Sequence, residues 1–126
     1  MAEKIKLVQG DTKPAIIVSL TDETSGVPLG LNGSTPQLLF RAVGSSQVLV
    51  TLTGTLLVGR LLEDGSVDST APYDTLGAGG RVQFNWGAGD LNQDAGDYEG
   101  EIQITFGDGT VQTVYDLMKF KLRQDF

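Results

Sequence analysis

The run Leu91-Asn92-Gln93-Asp94-Ala95-Gly96-Asp97-Tyr98-Glu99-Gly100-Glu101-Ile102-Gln103-Ile104-Thr105-Phe106 decides how this chain folds. Tyr98, Gly100, Ile102, Ile104 and Phe106 fall on one side of a period-two pattern. Asp97, Glu99, Glu101, Gln103 and Thr105 fall on the other. Successive side chains of a strand point to opposite faces, so the pattern predicts a strand with one dry and one wet face.

The lead-in to that strand, Asp94-x-Gly96-x-Tyr98, has the spacing of a tyrosine corner. In such a corner the Tyr hydroxyl reaches back to upstream backbone and holds the turn into a central strand of an immunoglobulin-type sandwich. Two residues after the Tyr, an antibody domain carries a disulfide cysteine. Here that position is Gly100. Asp94, Gly96 and Tyr98 are therefore structural candidates, and they describe an architecture rather than an activity.

Working outward, the same alternation recurs in short pieces. Ile5 and Leu7 share a face before the Gly10-Asp-Thr-Lys-Pro14 break. Ile16, Val18 and Leu20 share the next, with Ile17 apolar on the opposite face and partly covered. Val27–Leu31 reads as a short edge segment, and Asn32-Gly33 as a turn. Leu38, Phe40 and Ala42 are in phase, with Arg41 out of phase and solvated. A strand over Gln47–Thr53 follows, and Gly54 marks a bend. Val82, Phe84 and Trp86 share one side, and a single helical turn fits near Leu91. Gly107-Asp108-Gly109 closes a hairpin. The last strand, over 110–123, starts with Val111 and Tyr115 in odd phase and ends with Met118, Phe120 and Leu122 in even phase. That switch predicts a bulge or a change of sheet near Leu117. Residues 60–80 are polar and Gly-rich and read as one long loop, a place where binding elements occur. Tyr73 and Leu76 are the large apolar residues of its 64–80 portion.

Seventeen glycines and many β-branched residues, with no sustained helical period, make the expected fold all-β. The reading is an immunoglobulin-like antiparallel β-sandwich of seven to nine strands, one domain over 1–126. There is no cysteine and no histidine, which excludes disulfides, thiolate chemistry and histidine-based catalysis or zinc binding. The net charge of −7 disfavours nucleic acid and anionic membranes as partners. No apolar run approaches the ~20 residues of a membrane span. The first residues lack a signal-peptide core, so folding in a cytoplasm is expected.

Carboxylates are the remaining candidates for chemistry. Glu99 and Glu101 lie on one strand face about 7 Å apart, a separation used by glycosidases, but a solvated acidic strip explains them more simply. Asp64-x-x-x-Asp68 lacks the ligand spacing of a calcium loop, and Asp108 is hairpin chemistry first. Trp86, Tyr73 and Tyr115 raise a carbohydrate-binding or host-surface alternative, although the phase of Trp86 places it in the core. Lys119, Lys121 and Arg123 align on one face. They guard an edge from wrong pairing or meet acidic partners. No catalytic, cofactor or metal site is expected.

Several segments taken together resemble a known group: Leu7-Val-Gln-Gly-Asp-Thr12, Ile16–Asp22 with Gly26-Val-Pro-Leu29, Leu39-Phe-Arg-Ala42, Asp97-Tyr-Glu-Gly-Glu101 and Asp108-Gly-Thr-Val-Gln-Thr113. In this order and spacing they resemble small tailed-bacteriophage virion proteins, in particular the N-terminal domain of upper baseplate proteins of the BppU type. The resemblance implies a non-enzymatic virion structural protein with no cofactor. It would dock onto other virion subunits as a tail or baseplate module, in multiple symmetric copies or as a homo-oligomer. Capsid decoration on the head exterior is the alternative position. Tyr73, Leu76, Lys119, Lys121 and Arg123 are the expected partner contacts.

Overall fold

A computed structural model describes residues 4–22, 24–114 and 117–125. These residues form an all-β structure with eleven strands. β1 (Ile5–Val8), β3 (Thr35–Ala42), β4 (Val50–Thr53), β9 (Gly96–Thr105), β10 (Val111–Thr113) and β11 (Met118–Arg123) make a six-stranded sheet. Its order is β1-β11-β9-β3-β4, with β10 also paired to β9. β2 (Ile16–Ser19), β8 (Arg81–Phe84) and β5 (Thr55–Leu56) make a three-stranded sheet in the order β2-β8-β5. β6 (Arg60–Leu61) and β7 (Val67–Asp68) form a separate two-stranded ribbon.

β9 is the longest strand and the centre of the large sheet. It pairs with β3 from Thr35↔Thr105 to Ala42↔Tyr98. Its other side carries β10 and β11 in succession. Tyr98, Ile102 and Ile104 enter one core with Leu7, Leu38, Phe40, Phe120 and Leu122 of the same sheet, and with Ile16, Val82 and Phe84 of the small sheet. Phe40 is the hub. It stacks on Tyr98 with ring centroids 4.9 Å apart and meets Trp86 and Phe120 edge-on at 5.0 and 5.3 Å. Each such pair adds about 0.5–1.5 kcal/mol beyond simple burial. Gly100 lies within this cluster. A Cβ there would stand 2.7 Å from Leu38 Cδ1 and 2.9 Å from Phe120 Cε2, so the position where an antibody domain has cysteine is filled here by neighbouring side chains.

Several expectations are corrected. The strand number exceeds seven to nine because β5, β6 and β7 are two-residue strands and the last strand is split. The pairing is not purely antiparallel: β1 runs parallel to β11, Ile5 opposite Phe120 and Val8 opposite Arg123. The two strands are distant in sequence, so no tight turn forces them antiparallel. The 60–80 segment is not all loop, since the β6–β7 ribbon lies within it. The strand expected over Gln47–Thr53 begins only at Val50. Val27–Leu31 contributes a single bridge, Pro28 to Thr21, and Leu31 is fully buried. Ile17 is exposed rather than covered. Around Leu91 the chain makes successive turns, with Asp90 N–H donating to Gly87 and Asn92 N–H to Gly89, and no helix.

The last strand is broken into β10 and β11: β10 pairs with β9 up to Gln103 and β11 from Gly100, and the linking stretch contains two residues outside the described ones. Val111 is not an inward residue of a switched phase; it is 60% exposed, while Val114 packs on the core. Tyr115 lies outside the described residues. Gly54 marks the bend expected there. The chain leaves the large sheet at Thr53 and enters the small one at Thr55, and a Cβ on Gly54 would stand 2.4 Å from Val82 Cγ2.

Candidate docking surfaces

The Tyr98 side chain is buried, and its hydroxyl donates to the Asp94 carbonyl. Burial, and then the nearby Asp94 charge, raise the Tyr98 pKa above its ordinary value, so the hydroxyl remains a donor. The chain just upstream of β9 is thereby tied to its start, with Gly96 between the two at a φ of 155°, a backbone conformation that favours glycine.

The face of β9 expected to be wet is not a solvated acidic strip throughout. Glu99 is only 7% exposed. Its cross-strand neighbours are Arg41 on β3 and Lys119 on β11. Arg41 Nε lies 3.5 Å from one carboxylate oxygen and Lys119 Nζ 3.8 Å from the other. The long cationic side chains cover the carboxylate while keeping their heads near water. Arg41 is therefore half-buried and paired rather than solvated. Glu101 is half-buried and accepts from Gln103 Nε2. Asp97, one row along, pairs with Lys4 at 2.9 Å and faces Lys121 across the ladder. The Lys4 hydrogen bond and charge, with a smaller contribution from Lys121, lower the Asp97 pKa.

This geometry revises the role of the β11 cations. β11 lies between β1 and β9, so Lys119, Lys121 and Arg123 do not guard a free edge. With Lys4 and Lys6 they put five of the nine basic residues of an acidic chain on the outer faces of β1 and β11 or at their start. Lys119 and Lys121 face acids of β9, and the Arg123 guanidinium donates to the Gln124 carbonyl.

The 60–80 excursion carries a different surface. Arg60 and Asp68 form an ion pair at 3.1 Å, and the Arg60 guanidinium lies 4.6 Å from the centre of the Tyr73 ring. Tyr73 is therefore half-buried beneath a cation. Gly59 N–H donates to the Tyr73 carbonyl and Gly77 N–H to the Leu57 carbonyl, which ties both ends of the excursion together. A Cβ on Gly79 would lie 1.9 Å from the Gly59 carbonyl oxygen, so this junction needs glycine. Leu61 and Val67 stand opposite each other on the ribbon, 52% and 43% exposed, and Leu76 is 55% exposed. The period-two signal of Leu61 and Val67 is too short to register in sequence.

The polar candidates are occupied with turn chemistry. Asp64 accepts from the Ser66 N–H and hydroxyl, Asp68 from those of Thr70, and Asp108 from those of Thr110. Among the described residues no group of acids is arranged to hold a metal ion. Trp86 is buried and packs edge-on to Phe40 and Phe120, which is core use rather than a sugar platform. A cleft of about 250 Å³ lies between the chain after β2 and the end of β10; Leu20, Asp22, Leu29, Gln112, Thr113 and Val114 help line it. Nothing in the local sequence pattern marks it, because its walls are about ninety residues apart. No protein-family model matches the chain, and the curated proteins contain no match to it.

Proposed function

We propose that this chain is a non-enzymatic structural subunit of a tailed-bacteriophage particle that docks onto other virion proteins in multiple copies, as a tail or baseplate module. The observation that carries the reading is the excursion between β5 and β8. It is clamped at its base yet presents Leu61, Val67 and Leu76 to solvent. Apolar side chains held out on a fastened element suit a protein partner. The segments that resemble upper baseplate proteins supply the class of partner.

An immunoglobulin-like sandwich is the finer fold reading. The order β1-β11-β9-β3-β4 beside β2-β8-β5 supports it, as do the parallel β1–β11 pair and the Tyr98–Asp94 contact. Repetition around a ring or shell suits such a compact unit with separate docking faces. The test is composition and imaging of particles purified from a lysate of the encoding phage. The polypeptide is expected by mass spectrometry in stoichiometric amounts, with density at the tail or baseplate. Density on the head exterior would assign it to capsid decoration instead. Its absence from purified particles would refute the reading.

A further inference from the structure

At one side of the large sheet β1 pairs with β11 and sends Leu7 into the core. β10 has β9 on one side and, among the described strands, no partner on the other. The hydrogen bonds identify which backbone groups are left over. Val114 N–H donates to the Ile102 carbonyl, and Phe106 N–H to the Thr110 carbonyl. Antiparallel ladders alternate, so Thr110, Gln112 and Val114 turn their backbone groups toward β9. Val111 and Thr113 turn theirs outward.

That open edge borders the cleft. The opposite wall includes Leu20, Thr21, Asp22 and Thr24, directly after β2, which is itself an outer strand of the small sheet. The space therefore lies between outer strands of both sheets. At about 250 Å³ it is smaller than the ~300–1,000 Å³ usual for small-molecule sites. Leu20, Leu29 and Val114 supply apolar surface, and Asp22 supplies charge with no basic residue on the lining. The Asp22 carboxylate is fixed by the N–H groups of Thr24 and Ser25. Val111-Gln112-Thr113 carries none of the lysines, prolines or bulges that normally protect a free edge.

We propose that this cleft receives an extended segment of a neighbouring subunit as an added strand on β10. The segment pairs with the backbone of Val111 and Thr113. It sets one apolar side chain among Leu20, Leu29 and Val114, and places a lysine or arginine against Asp22. Main-chain bonds supply affinity and the alternate side chains supply selectivity. The inference rests on the docking function proposed above and names the site through which one partner is held.

Hydrogen exchange of the wild-type chain, free and in purified particles, tests it together with Thr113→Pro. Proline is tolerated where the N–H points off an edge, so this variant is expected to fold and melt like the wild type. In particles the Val111 and Thr113 amides should exchange at least about tenfold more slowly than in the free chain. In competition for assembly, Thr113→Pro should be incorporated about tenfold less than wild type. Unchanged exchange at both amides in particles that contain the chain overturns the strand-addition site and leaves the docking function standing. Should Thr113→Pro misfold, the wild-type exchange decides alone. A chain absent from the particles removes the docking function and this inference with it.

Discussion

Tyr98 and Glu99 are adjacent, and both are buried for different reasons. Tyr98 combines ring stacking on Phe40 with one hydrogen bond to Asp94. Tyr98→Phe keeps the stacking and removes the bond. The expected loss is about 0.5–1.5 kcal/mol, read as a lower urea midpoint with an unchanged slope. Glu99 is held by two cations from flanking strands. Glu99→Gln leaves Arg41 and Lys119 facing each other without the intervening charge. The expected loss lies between the ~1 kcal/mol of an exposed pair and the ~3 kcal/mol of a buried one. Adding Lys119→Met to Glu99→Gln should recover part of it in a double-mutant cycle. The alternation that locates Tyr98 is visible in sequence. The burial of Glu99 is not, because Arg41 and Lys119 lie far from it along the chain.

At the scale of elements, four turns use one device. Asp22, Asp64, Asp68 and Asp108 each accept hydrogen bonds from the Ser or Thr two positions on. The hydrogen bonds of Ser66, Thr70 and Thr110 hold Asp64, Asp68 and Asp108 below the ordinary 3.8, and at Asp22 the Ser25 N–H, followed by that of Thr24, does the same. A group whose folded pKa is depressed contributes stability above its unfolded pKa. That contribution is lost as pH falls through the folded value. The melting temperature should therefore hold from neutrality down to about pH 5 and fall below about pH 4. A flat profile into that acid range would show that these turns add nothing. In sequence, Asp64 and Asp68 invite a calcium reading. The Asp-x-Ser/Thr spacing, repeated at Asp22, Asp64, Asp68 and Asp108, was the available signal for turn caps.

Across the whole molecule, the core and the proposed docking surface occupy separate parts. The core lies between the sheets, while Leu61 and Val67 lie on a ribbon outside them. Leu61→Asp should change unfolding free energy by no more than about 0.5 kcal/mol. On the proposed function it should also reduce incorporation into particles, measured against wild type in the same assembly. Retained incorporation would remove the ribbon from the docking surface.

Sequence alone determined the all-β class, the dry face of β9 and the absence of cysteine and histidine chemistry, because these depend on local periodicity and inventory. The contact of the Tyr98 hydroxyl with upstream backbone was also legible, since its donor and acceptor are four residues apart. Tertiary structure decided what pairing across distance controls. It placed β11 inside the sheet, covered Glu99 with cations from two strands, set Arg60 over Tyr73, and left a cleft beside β10. Each of these depends on which strands become neighbours, and period-two alternation fixes the face of a side chain without naming the strand beside it.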